Sequence, residues 1–261
     1  MARPLLRFLL VGFILVALDA QSVLARDAKA CAVSIGQCPE YGCAAEADGP
    51  DGLLNQRKRT FPTADTPTVL TLDDFEALQA RADALFHTKK NLDAAARDLL
   101  KNLRVATPDV FVSEGDFVQI AGYLVGLPQR PKAEGPESVN CNLNDPRNHT
   151  ANDFHIPVAR AATDTEYDGI VVEMIPQQRP GEWSIEAIRQ IARDGLPMIV
   201  RGQLMYDNKH RVNKDPNNDN GQPKRFSLWE VHPVTEFYVC RKDSCDPANI
   251  DEWELVGKVQ P

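Results

Sequence analysis

At 261 residues, with 43% hydrophobic and 25% charged side chains, the chain carries enough apolar material for one domain plus appendages without support from a metal. A net charge of −8 disfavours nucleic acid as the main partner, because phosphate backbones are held largely by Lys and Arg. No Gly-rich phosphate loop, Gly-x-Ser-x-Gly elbow or dinucleotide fingerprint occurs, which argues against the chemistries those motifs support.

Arg3 and Arg7 precede an apolar run from Phe8 to Leu18, and Val23-Leu24-Ala25 then offers small residues for a signal peptidase. Leu18-Asp19-Ala20 and Ala28-Lys29-Ala30 are alternative cleavage points. The run is too short to span a bilayer and no later stretch is long enough. Residues 1–25 are therefore expected to be a signal peptide, leaving a periplasmic or secreted chain with no transmembrane segment. Six cysteines agree with export: Cys31, Cys38, Cys43, Cys141, Cys240 and Cys245. In an oxidising compartment an even count reads first as a disulfide framework, with zinc at Cys38-x4-Cys43 or a thiol nucleophile at Cys141 as alternatives. Spacing favours a local Cys240–Cys245 bridge and leaves the other pairings open.

Residues 26–67 are rich in Ala, Gly, Asp and Pro, with no sustained period, and read as an irregular Cys-containing segment. The basic run Asn55-Gln56-Arg57-Lys58-Arg59 inside it reads as solvated linker. Residues 68–104 read as a helical hairpin. Thr71 caps the first helix, with Asp73 and Asp74 against its dipole and Leu72, Phe75, Leu78 and Leu85 at helical spacing. The second helix is expected from Leu92 to Leu103.

From about residue 105 to residue 240 the period becomes that of strands. Strands are predicted at Phe117–Val125, Asp153–Val158, Gly169–Ile175, Met198–Asp207 and Phe226–Cys240. One helix, capped by Ser184 and stopped at Gly195, separates the third from the fourth. The order strand-strand-strand-helix-strand-strand is that of a five-stranded OB-like barrel, mainly β with flanking helices; an α+β sandwich is the alternative. An OB barrel binds with the loops joining strands 1–2 and 4–5, here the long segments Pro128–Ala151 and Asn208–Lys224. Residues 241–261 read as a tail.

Sorting strand residues by face gathers Asp153, His155, Glu173, Glu230 and His232 into one polar patch, with His210 able to reach it from a loop. Arg201 and Gln203 share a face of the fourth strand as polar support. Carboxylates and imidazoles so arranged can hold a divalent metal or act as general acid and base. The plainer reading is the wet face of a half-exposed sheet, because Asp-x-His and Glu-x-His are common strand repeats. Trp183, Trp229, Tyr206 and Phe226 are expected in the core rather than as stacking platforms, and Asn148-His149-Thr150 fits a glycosylation acceptor.

The segments Glu137-Ser138-Val139-Asn140-Cys141, Asn152-Asp153-Phe154-His155-Ile156, Val171-Val172-Glu173-Met174-Ile175-Pro176 and Trp229-Glu230-Val231-His232-Pro233-Val234-Thr235 resemble those of a group of uncharacterised exported bacterial proteins. The likeness covers roughly residues 115–240. Some members carry a second cysteine where Val139 stands here, so the resemblance leaves the partner of Cys141 open. It implies an exported address and draws interest to the patch residues, and it implies no reaction. The leading expectation is an exported OB-like binding module that takes a small or oligomeric ligand between its two loops. The alternatives are a metal-assisted hydrolase, with phosphodiesters as one substrate class, and an envelope interaction protein without a small-molecule site.

Overall fold

A computed structural model of the chain describes residues 30–87, 89, 91–126, 139–143, 150–214 and 224–259. The expected signal peptide, Glu137-Ser138, Asn148-His149 and much of both long loops lie outside the described residues.

The first helix forms where an irregular segment was expected. Gly49 caps it, Pro50 opens it with a missing N–H that no helix start needs, and Asp51 faces the positive end of the dipole. Arg57, Lys58 and Arg59 complement the negative end, so α1 runs Pro50–Arg59. The apolar periodicity that marks most helices is weak here, because α1 buries Asn55 and Lys58 alongside Leu54. The basic run read as linker is thus the last half of a packed helix.

After β1 (Thr68–Leu70), α2 (Leu72–Phe86) starts at the expected cap Thr71, and Asp74 completes a capping box in which the two satisfy each other's backbone N–H. The second helix of the hairpin is much shorter than expected: α3 covers only Ala94–Asp98, capped by Asp93. Leu99 lies outside it and is half exposed, and Asn102 takes a left-handed φ of 52° that ends any helical continuation. Leu103–Arg104 (β2) instead pairs with Phe111–Val112 (β3) in a small hairpin.

Five strands then close on themselves: β4 (Phe117–Leu124), β5 (Phe154–Ala159), β6 (Ile170–Met174), β7 (Pro197–Tyr206) and β8 (Trp229–Val239). Their order around the barrel is β4-β5-β6-β8-β7, and β7 returns to β4 through seven antiparallel pairs from Phe117↔Gln203 to Tyr123↔Pro197. β6 runs parallel to β8, with Val172 opposite Val231. Helix α4 (Ile185–Arg193) lies between β6 and β7 in sequence, so the connectivity is that of an OB barrel, and the sandwich alternative falls away. Two strands extend the barrel sheet: β1 adds in parallel to β4, and β9 (Glu254–Lys258), inside the expected tail, adds antiparallel to β8.

Alternation sends Phe154, Ile156, Val158, Ile170, Val172, Met174, Trp229 and Val231 into one apolar cluster, together with Phe75, Leu78, Trp183 and Tyr206. The four aromatics expected in the core are there, each at most 3% exposed. The side chains between these positions, His155, Glu173, Glu230 and His232, face the outside of the barrel.

All six cysteines are bridged: Cys31–Cys43, Cys38–Cys141 and the expected Cys240–Cys245. Zinc at Cys38-x4-Cys43 and a nucleophilic Cys141 are both excluded by these bonds. Cys38–Cys141 ties the segment ahead of α1 to the loop between β4 and β5. No helix among the described residues is long and apolar enough to cross a membrane.

Candidate functional site

The outer face of β5, β6 and β8 is not wet. Glu173, Glu230 and His232 have no exposure at all, and only His155 is partly open. The cover includes α1, whose Gln203 contact fixes its end: the Gln203 amide donates to the Arg57 carbonyl at 2.6 Å and to the His232 carbonyl at 2.8 Å.

Under this cover an ion network forms. His155 and Glu173 are directly opposed on antiparallel β5 and β6, and their Nε2 and Oε1 atoms are 3.1 Å apart. The pairing of Val172 with Val231 sets Glu173 beside His232, whose Nδ1 lies 3.0 Å from Glu173 Oε2 and 3.4 Å from Glu230 Oε2. Arg225, fully buried, donates to the other Glu230 oxygen. Lys58 Nζ of α1 forms an ion pair with Asp207 Oδ2 at 3.1 Å, and His210 Nε2 lies 3.4 Å from the same oxygen.

Burial opposes charge on Glu173 and on His232, and neighbouring charge overrules it. Desolvation pushes the Glu173 carboxyl up, but His155, His232 and the Lys58 ammonium hold it down at about 2. Desolvation likewise pushes the His232 imidazole down, and Glu173 with Glu230 raise it overall. The fully buried members are matched in number: the carboxyl groups of Glu173, Glu230 and Asp207 and the basic side chains of Lys58, Arg225 and His232. Buried charge of this kind persists only when paired in this way.

Four predicted residues, His155, Glu173, Glu230 and His232, are therefore brought together, and His210 joins beside Asp207. Asp153 is elsewhere: its carboxylate accepts the Val139 N–H at 2.9 and 3.2 Å and its charge acts on Arg59 and Arg179. Arg201 belongs to another cluster, donating to Gln119 at 2.7 Å and Glu236 at 3.1 Å. Sequence reasoning missed Lys58, Asp207 and Arg225. Lys58 sat in a run resembling solvent-exposed linker, and the other two lie in loop-flanking positions where no period marks a buried charge.

Chemically the network can hold protons. Ligand atoms of Glu173, Glu230 and His232 also lie within 4.8 Å of one another, a spacing that suits a divalent cation if His232 gives up its proton. Beside the network, an open cavity of about 410 Å³ lies between the two long barrel loops. Asn140 and Asn142 line it from the β4–β5 loop, Lys209 and His210 from the β7–β8 loop, and Asn55 and Lys58 from α1. Val139, Asn140 and Asn142 all hold left-handed φ values of 45–60°, a region that asparagine enters more readily than most residues and that is an outlier for a β-branched valine. The Cys38–Cys141 bond and the Asp153 carboxylate hold that segment in place.

Comparison of the chain with family models, curated proteins and solved structures returned no match.

Proposed function

We propose that this chain is an exported OB-like binding module, and that a small polar ligand sits between its two long loops. The observation that carries the reading is the cavity walled by Asn140 and Asn142 on one side and Lys209 and His210 on the other. OB barrels bind with these two loops, and ligand sites are concave with a few convergent polar groups. Three asparagine amides with Lys58, Lys209 and Asp51 offer both donors and acceptors, a lining suited to hydroxyl- or amide-bearing molecules. Backbone held in sparsely populated conformations at the same place adds support, because such strain clusters at ligand sites. Three disulfides support a periplasmic or secreted address, the oxidising setting in which such bonds persist. The likeness of the patch segments to exported bacterial proteins points the same way.

The test is saturation-transfer NMR of the oxidised protein with neutral sugars, dipeptides and nucleosides, repeated on Ala44→Trp, which fills the cavity. Fragments that bind the parent and are lost from Ala44→Trp support the reading. A set that binds neither protein, or both equally, overturns it.

A metal-assisted hydrolase has one observation in its favour, the close approach of ligand atoms from Glu173, Glu230 and His232. Complete burial of all three and the adjacent Arg225 and Lys58 charges weigh against it, since a substrate needs access and a cation needs room for its charge. Elemental analysis followed by a zinc and manganese titration decides: one ion per chain, lost in His232→Ala, favours the metal. No binding leaves the network as paired charge alone.

A further inference from the structure

We infer that a second cavity, on the α2 side of the segment 207–214, binds an organic anion that carries a flat apolar ring. It has a volume of about 410 Å³ and lies apart from the cavity between the loops, so the inference does not rest on the function proposed above. Among the described residues His210 alone lines both cavities.

The floor is apolar and rigid. Tyr206, Phe226 and Leu228 form it at 2%, 3% and 7% exposure, with Val212 beside them. Tyr206 and Phe226 belong to the core cluster, so their ring positions are set by packing rather than by a ligand. One wall is a helix face: Gln79, Asp83 and His87 follow at four-residue intervals along α2 and its C-cap. Gln79 is itself fixed, its side-chain oxygen accepting the Leu228 N–H at 2.7 Å. His87 stands at φ 51° and ψ −104°, away from the common regions of backbone space.

The rim is cationic. Lys89, Arg211 and Lys214 all line the cavity, and among the described residues no carboxylate lies within ion-pair distance of any of them. The contrast with other cations that reach solvent is informative: Lys209 pairs with Asp51, Lys224 with Glu166 and Arg160 with Asp73. Among the described residues Asp83 is the single carboxylate in the lining, against the three basic side chains of the rim. In a chain of net charge −8, such a local excess is a departure from the average field, and it draws anions to that hollow. Lys214 Nζ also lies 5.9 Å from the Phe226 ring centroid, so charge and aromatic surface meet at one point.

These two halves define the ligand class. A simple inorganic anion would satisfy the rim and leave the aromatic floor uncovered; a neutral ring would cover the floor and leave the rim unpaired. A planar ring bearing a carboxylate, sulfonate or phosphate does both.

The test is calorimetric titration of the full oxidised chain with naphthalene-2-sulfonate, with 2-naphthol and sodium sulfate as the separate halves. We expect saturable binding of one sulfonate per chain, about tenfold or more tighter than either half, weakening as salt rises. The double variant Arg211→Ala/Lys214→Ala, at two exposed positions, should lose about tenfold in affinity with an unchanged melting temperature. Ala44→Trp, in the other cavity, should bind the sulfonate as the parent does. Equal affinity for 2-naphthol, full affinity in the double variant, no saturable binding, or loss of binding in Ala44→Trp would each overturn the inference.

Discussion

His232 sits between Glu173 and Glu230 with no solvent contact, and the energetic consequence is a stability that depends on pH in two opposite senses. The folded Glu173 carboxyl titrates at about 2 against an ordinary 4.5. Its contribution is therefore fully present above pH 4.5 and is lost as pH falls toward 2, on the order of 3 kcal/mol in all. His232 has a folded value raised above its ordinary 6.5, so its contribution is complete below 6.5 and is lost as pH rises through the folded value. Both are present together between pH 4.5 and 6.5. Urea midpoints measured across pH should fall on both sides of that window, and Glu173→Gln should flatten the acid limb. His232→Gln removes the cation shared by two buried carboxylates, and we expect a loss of about 3–5 kcal/mol at neutral pH. The double variant Glu173→Gln/His232→Gln should cost less than the sum of the two singles, because each single leaves a stranded partner. Additive costs in urea unfolding would show that the two side chains do not act as a pair.

At the scale of elements, one of the close constraints lies where β7 meets β8. A Cβ on Gly202 would stand 2.2 Å from the Pro233 carbonyl oxygen, next to the register shifts between these strands. Gly202→Ala should therefore destabilise by about 1–3 kcal/mol, read as a lower melting temperature with no change in disulfide content. The barrel strands themselves were legible in the sequence, because period-two alternation over Phe154–Ala159 and Trp229–Val239 reports which face is buried. Thr71 and Ser184 were equally legible as caps, since a cap is a local hydrogen bond. Helix α1 was not, although Pro50 at its first position and three basic residues in its last turn are signals that a search for dipole-matched ends would find. The long second helix failed for the opposite reason: Leu92, Leu99 and Leu103 keep helical spacing, but pairing of Leu103 with Val112 overrides it. The site was half legible. Strand alternation groups His155, Glu173, Glu230 and His232, yet a face read as wet is buried because α1 covers it, and cover by a distant segment leaves no trace in a strand's own sequence.

For the whole molecule, the bridge Cys38–Cys141 closes a separation of 103 residues and is the covalent tie between the segment ahead of α1 and the barrel loop. Cys38→Ser/Cys141→Ser should cost about 2–5 kcal/mol in urea unfolding while the far-ultraviolet dichroism of the barrel persists. In the same variant the Lys58–Asp207 pair, 3.1 Å apart in a fully buried setting, loses its tether, and amide exchange over Pro50–Arg59 should quicken more than over β4 to β8. The tie also orders events in time. The stretch from Cys31 to Lys58 leaves the ribosome early, but its lasting partners include residues 141, 203 and 207, and the first of these can be joined only after oxidation. Until α1 docks, the outer face of β5, β6 and β8 lacks that cover, and its two glutamates and two histidines meet water. Docking of α1 turns that polar surface into a sealed set of paired charges, and the Cys38–Cys141 bond holds the covering segment in place.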